Sequence, residues 1–217
     1  MTMTSRNGLL GFSVPALLSL ALGACAWDRA HVVRVSVPEQ RMTVFRHGKP
    51  IATYPVSTSK FGLGDVPGSN CTPLGRMAVA QKIGRGEPLG MKFKSRQPTG
   101  EIVPVNAPGR DPIVTRILWL RGLEKRNANA FERMIYIHGT PEESRLGTPA
   151  SFGCIRMRSR DVAELYDTVG RGAQVIVTNA PGEAPAGGQS FAGGFSNANG
   201  SNGSSARGGA VAQIRAD

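Results

Sequence analysis

The sequence predicts a mostly β domain, a sandwich or barrel capped by one helix, and three observations carry that prediction. Short stretches alternate apolar and polar residues from Val33 onward, two later apolar runs are too short to be helices, and one stretch after Ser159 repeats at helical spacing. Many strands with a single helix bury their faces best in a sheet-based fold.

The elements follow in chain order. Val33, Val35 and Val37 alternate with polar or small residues, Met42, Val44 and Phe45 continue the pattern, His47-Gly48 is a turn, and residues 51–56 return, which makes a β-meander. A further strand over residues 77–83 follows Thr72-Pro73-Leu74-Gly75. Residues 84–109, rich in Gly and Pro, read as loops with one strand near residues 102–105. Residues 117–120 and 134–137 are continuous apolar runs, the form expected of strands buried on both faces. In the helix, Ser159 is the expected cap and Asp161 sits in the first turn. Val162, Leu165, Tyr166 and Val169 fall at i, i+3, i+4 and i+7 before Gly170 and Gly172 stop it. Residues 173–177 form the last strand.

Composition narrows the function. The 217 residues are 40% hydrophobic, enough for a core, and the length suits one ordinary domain with accessories. Lys and Arg number 26 against 15 Asp and Glu, and nearly all of the net +11 lies between residues 25 and 180. A carboxylate-bearing or anionic partner suits that balance. Nucleic acid does not, because no run of adjacent basic residues with interleaved aromatics is present. No Walker or dinucleotide-type glycine pattern and no zinc-ligand spacing occurs, so neither a metal nor a cofactor is expected.

The ends read as address and tail. Residues 9–22 are apolar, too short for a permanent span and interrupted by Gly11 and Pro15, as in the core of a secretory signal. That stretch closes on Leu22-Gly23-Ala24-Cys25, which resembles the lipobox of bacterial lipoproteins. Residues 1–24 are therefore expected to be a signal peptide, Cys25 to be lipidated, and the protein to be exported and anchored at a membrane on its periplasmic face. Residues 26–30 read as a short tether. From Pro181 onward nine glycines fall in 37 residues with few branched apolar side chains, so residues 181–217 are expected to be a disordered Gly-, Ser-, Ala- and Asn-rich tail.

The chemistry gathers at His138 and Cys154. His138 follows the apolar run 134–137, so its ring is expected to leave the sheet at an edge, with Gly139 permitting a sharp turn. A thiol attacks a carbonyl as thiolate, and an imidazole together with Arg156 and Arg158 would lower its pKa. The amides of Gly153 and Cys154 are candidate oxyanion donors. Histidine ahead of cysteine in the chain disfavours papain-like peptidases, where the cysteine comes first.

The run Tyr136-Ile137-His138-Gly139-Thr140, then Leu146-Gly147 and Pro149-Ala150-Ser151-Phe152-Gly153-Cys154-Ile155-Arg156-Met157, resembles the signature of the bacterial L,D-transpeptidase catalytic domain of the YkuD type. The segments Tyr54-Pro55-Val56-Ser57-Thr58-Ser59 and Thr72-Pro73-Leu74-Gly75 are similar to the amino-terminal half of the same family. The resemblance covers about residues 31–178. It implies a β fold in which Cys154 attacks a peptidoglycan tetrapeptide stem between meso-diaminopimelate and D-alanine, releases D-alanine and holds a thioester. An amine of a second stem, or of a wall protein, then resolves it.

By the same resemblance His138 is the base and the Gly139 carbonyl orients its ring; Ser151, three residues before the cysteine, is expected to shape the pocket, and Arg156, so close to the nucleophile, to bind a stem carboxylate rather than to be a solvated surface arginine. Phe152 stands where many members have a second histidine, which alters pocket polarity. Trp119 and Tyr136 read as core. Lys60, Lys82 and Arg85 are candidate contacts to an anionic wall. Resolution of the thioester by water, giving an L,D-carboxypeptidase or endopeptidase, is the alternative, and a wall-binding lipoprotein without catalysis is disfavoured by the presence of both Cys154 and His138. Cys71 reads as a packed loop residue that could pair with Cys154 under oxidation.

Overall fold

A computed structural model describes residues 27–109 and 111–182. Strand β1 (His31–Ser36) pairs antiparallel with β2 (Arg41–Arg46), and β2 with β3 (Lys49–Pro55), as the alternation predicts. The β2–β3 connection is the two-residue turn His47-Gly48, both at positive φ (49° and 77°), the hand that matches strand twist. Val33 faces Val44 and Val35 faces Met42, all four fully buried. Residues 27–30 are not a free tether. The Asp28 carboxylate accepts the N–H groups of Ala30, His31 and Gly170, and the Asp28 N–H donates to Arg171 O at 2.7 Å.

Strand β4 (Gly75–Ile83) follows. The Gly- and Pro-rich span contains a hairpin, β5 (Met91–Lys94) and β6 (Gln97–Ile102), where loops were expected. The strand placed near residues 102–105 is thus displaced towards the amino end. All six β6 residues are exposed, so no alternation marks the strand, and its turn uses Ser95 and Arg96 at φ 49° and 68° instead of the usual Asn or Gly.

The central strand is β7 (Val114–Gly122), with β4 on one side and β8 (Tyr136–Gly139) on the other. A short β9 (Ile155–Met157) lies parallel to β8, and β10 (Gln174–Thr178) joins β1 to β4. The chain leaving β3 then pairs with β9: Ser57 N–H donates to Arg156 O at 3.0 Å and Arg156 N–H to Ser57 O at 2.9 Å. The two ends of the sheet therefore meet around the core.

Helix α1 (Ser159–Thr168) lays Val162, Leu165 and Tyr166 on that core. Burying each such side chain contributes about 1.5–3 kcal/mol. Ser159 is the first helical residue and not the cap. Its N–H donates to the Glu143 carboxylate at 2.9 Å, so a carboxylate from a separate segment replaces a local capping hydroxyl. At the other end Lys82 Nζ donates to Tyr166 O and Val169 O, which makes Lys82 a helix-end cation and not a wall contact.

Strand β8 begins two residues later than the apolar run suggests, because Met134 sits at φ 56° and turns the chain. His138 is therefore inside the sheet, hydrogen-bonded on both sides, and not at an edge. Gly139 makes no turn. An added Cβ would lie 2.6 Å from Val114 O and 3.1 Å from Val162 Cγ1, so the glycine is there for space. Gly139→Ala is expected to lower stability by about 1–3 kcal/mol, read as a fall in Tm. An unchanged Tm would contradict that close approach.

The regions read as signal peptide, lipidated Cys25 and, from residue 183, tail lie outside the described residues.

Candidate active site

Strand alternation builds the site. Ile137, Ile155 and Met157 point into the main core, so Tyr136, His138 and Arg156 point to the opposite face, with His138 and Arg156 in register. Cys154, one residue before β9, packs beside a second apolar cluster of Met91, Phe93, Ile117 and Tyr136. His138, Cys154, Ser151, Phe152 and Arg156 line one cleft of about 180 Å³, together with Asp111 and Ile113. A larger hollow of about 530 Å³ lies beside the start of α1, but neither a thiol nor an imidazole lines it, so chemistry and not volume selects the site.

His138 is 4% exposed, and its Nδ1 lies 2.8 Å from Gly139 O. A carbonyl only accepts, so Nδ1 carries the proton and Nε2 keeps its lone pair. Burial pushes the His138 pKa below the ordinary histidine value, against the opposing pull of the Gly139 carbonyl and Asp111. At neutral pH the ring is a neutral base in a fixed tautomer.

The Cys154 sulfur accepts the Tyr136 N–H at 3.4 Å and donates to Met134 O at 3.4 Å. Burial pushes its pKa up to about 11, although the Tyr136 N–H, Arg156 and Arg133 all favour the thiolate. The expectation of a lowered thiol pKa is thereby corrected. Arg156 is shared with two carboxylates, and Arg158 is half exposed and turned to Asp161 at 3.9 Å, so neither cation outweighs desolvation. The alkylation rate of Cys154 in the free protein is expected to keep rising through pH 9 towards 11. A plateau below pH 8 would indicate a preformed thiolate and contradict this.

Ser151 is fully buried and staples the nucleophile's turn. Its hydroxyl donates to Cys154 O at 2.5 Å and accepts the Gly153 N–H at 3.2 Å. Gly153 stands at φ 114°, and a Cβ there would lie 3.2 Å from Cys71 O. With the Gly153 N–H engaged by Ser151, the Cys154 N–H is the donor of that pair left for an oxyanion.

Arg156 is 5% exposed and its fork is filled by the protein, with Nη2 2.7 Å from Asp111 and Nη1 3.1 Å from Glu142. Thr140 donates its hydroxyl to the other Asp111 oxygen. Asp111, Glu142 and Arg133 carry no signal in the sequence, since isolated polar residues in loops look alike until the fold gathers them, and Thr140 stands in the signature run without its role being visible there. Phe152, 57% exposed at the cleft mouth, packs against Phe61 at 5.3 Å with the Lys60 ammonium 4.6 Å from its ring centre. Tyr136 is buried, as expected of a core residue, whereas Trp119 is half-buried, stacked on Phe131 at 4.1 Å at the border of the second apolar cluster. Cys71 and Cys154 are both free thiols.

A family model for the YkuD L,D-transpeptidase catalytic domain matches residues 30–177. The chain belongs to that family. A Bacillus licheniformis relative bearing the YkuD L,D-transpeptidase name is 37% identical over 87 residues, which is 40% of this chain and 48% of the relative. The chain thus matches about half the length of that curated relative. Among solved structures, L,D-transpeptidase 3 of Mycobacterium tuberculosis with a faropenem-derived adduct is 21% identical with a TM-score of 0.45, over 69% of this chain and 60% of the other. An L,D-transpeptidase of Mycobacterium smegmatis is 20% identical with a TM-score of 0.44, over 69% and 58%. The YkuD match spans the whole sheet from the residue before β1 to the penultimate residue of β10, so the cleft lies inside the matched region.

Proposed function

We propose that this protein is a peptidoglycan L,D-transpeptidase in which Cys154 is the nucleophile and His138 the base. The observation that carries the reading is the His138 ring, fixed through Nδ1 on Gly139 O, in the same cleft as the Cys154 thiol, and burial favours the neutral form of both groups. With both groups neutral, proton transfer accompanies attack. Nε2 takes the Cys154 proton as the sulfur bonds to the carbonyl carbon between meso-diaminopimelate and D-alanine, and the Cys154 N–H faces the oxyanion. As the C–N bond breaks, His138 returns the proton to the D-alanine amine. An acceptor amine from a second stem or a wall protein then attacks the thioester, gives its proton to Nε2 and releases the thiol. The Leu22-Gly23-Ala24-Cys25 sequence supports a lipid tether at the periplasmic face.

Incubation with disaccharide tetrapeptide, beside a Cys154→Ala control, tests this by mass spectrometry. Loss of D-alanine with cross-linked dimers, absent in the control, is the expected result. Loss of D-alanine that gives only tripeptide makes the protein a carboxypeptidase. No turnover and no adduct on Cys154 overturns the reading.

A further inference from the structure

A buried ion pair stands beside the nucleophile's turn without a role in the chemistry above. Arg133 and Asp65 are 3.0 Å apart, with side chains 7% and 8% exposed. Arg133 Nη1 also donates to Gly64 O at 3.0 Å, and Nη2 donates to Cys71 O at 2.7 Å and Ser69 Oγ at 3.3 Å. The second Asp65 oxygen accepts the Asn129 N–H at 2.7 Å. The pair therefore ties residues 129–134 to the loop from Gly64 to Thr72.

Both ends of that tie reach Cys154. On the loop side, Cys71 O and Asn70 O lie 3.2 and 3.5 Å from the place a Gly153 Cβ would take, and the Thr72 hydroxyl donates to Gly153 O at 3.0 Å. On the other side, Arg133 adjoins Met134, whose carbonyl receives the Cys154 S–H. Met134 stands at φ 56°, a conformation that a methionine keeps only when its surroundings hold it. The Arg133 charge also opposes the burial that keeps the thiol protonated.

We propose that Arg133, clamped by Asp65, is a positioning residue that holds the loop under Gly153 and fixes its own positive charge beside the Cys154 turn, and so sets the reactivity of Cys154. The proposal rests on the reading of Cys154 as nucleophile, yet its test needs no substrate, so the two fail separately. Both thiols, Cys71 and Cys154, are alkylated with iodoacetamide at pH 9 in the full chain and quantified by peptide mass spectrometry. The variants are Arg133→Lys and the charge-neutral pair Arg133→Gln with Asp65→Asn.

The double variant is expected to slow Cys154 about tenfold while Cys71, released from its carbonyl tie, reacts faster. Arg133→Lys keeps the charge but not the fork, and is expected to slow Cys154 by about threefold. A merely structural loosening would speed both thiols, and that result overturns the proposal. Native Cys154 rates in both variants overturn it too. Should the double variant not fold, a native rate in Arg133→Lys is sufficient to overturn it.

Discussion

Replacing His138 with glutamine is expected to lower kcat/KM by about three to four powers of ten at pH 7. The size follows from the thiol. With a Cys154 pKa of about 11, roughly one molecule in ten thousand holds a thiolate at pH 7 without a base, and the variant has to rely on that fraction. The loss carries its own signature. Activity of His138→Gln should climb about tenfold per pH unit from 6 to 9.5, because each unit raises the thiolate fraction tenfold. In the native protein the acid limb should lie below the ordinary histidine value, since burial lowers the His138 pKa and protonated His138 cannot accept the thiol proton. A loss under tenfold, or a variant whose activity is flat with pH, would mean that the thiol is activated by something other than His138.

The fold was legible wherever burial is one-sided. Val33, Val35, Met42 and Val44 alternate because one face of the meander meets the core, and α1 repeats at helical spacing for the same reason. The β5–β6 hairpin was hidden because β6 buries nothing, and its turn residues are not the ones that usually announce such a turn. The two-residue displacement of β8 has a local cause, the left-handed Met134, which no apolar count reveals.

The site divides in the same way. Cys154, His138, Gly139 and Ser151 lie within two short runs, and the structure brings them to one turn and one strand. The carboxylates that hold Arg156 lie three residues before β7 and three after β8, so it is the antiparallel β7–β8 pairing, with Val114 opposite Gly139, that gathers them. The thiol's protonation state is hidden in the sequence for a related reason. Counting nearby cations omits desolvation, and desolvation is the larger effect here.

Arg156→Met gives the second large effect, and it separates two roles. If Arg156 were a free hook for a substrate carboxylate, its loss would raise KM and leave stability intact. Instead its guanidinium, 6% exposed on the side chain, lies 2.7 Å from Asp111 and 3.1 Å from Glu142, so the variant leaves the buried Asp111 without its cation, while Glu142 keeps Arg145 at 3.1 Å. Breaking a buried pair in this way costs about 3–5 kcal/mol. Thermal unfolding is expected to show it as a Tm lower by about 10 °C or more. Arg156→Met with Asp111→Leu should recover part of that loss, because the second change removes one stranded charge. The single variant should also move the acid limb of activity upward in pH. Arg156 pushes the His138 pKa down and Asp111 pushes it up, so without Arg156 the ring takes a proton at a higher pH and is lost as a base sooner. A native Tm with a raised KM would return Arg156 to substrate binding. A lowered Tm with an upward-shifted limb makes it the counter-charge that keeps the Asp111 carboxylate from raising the pKa of the base.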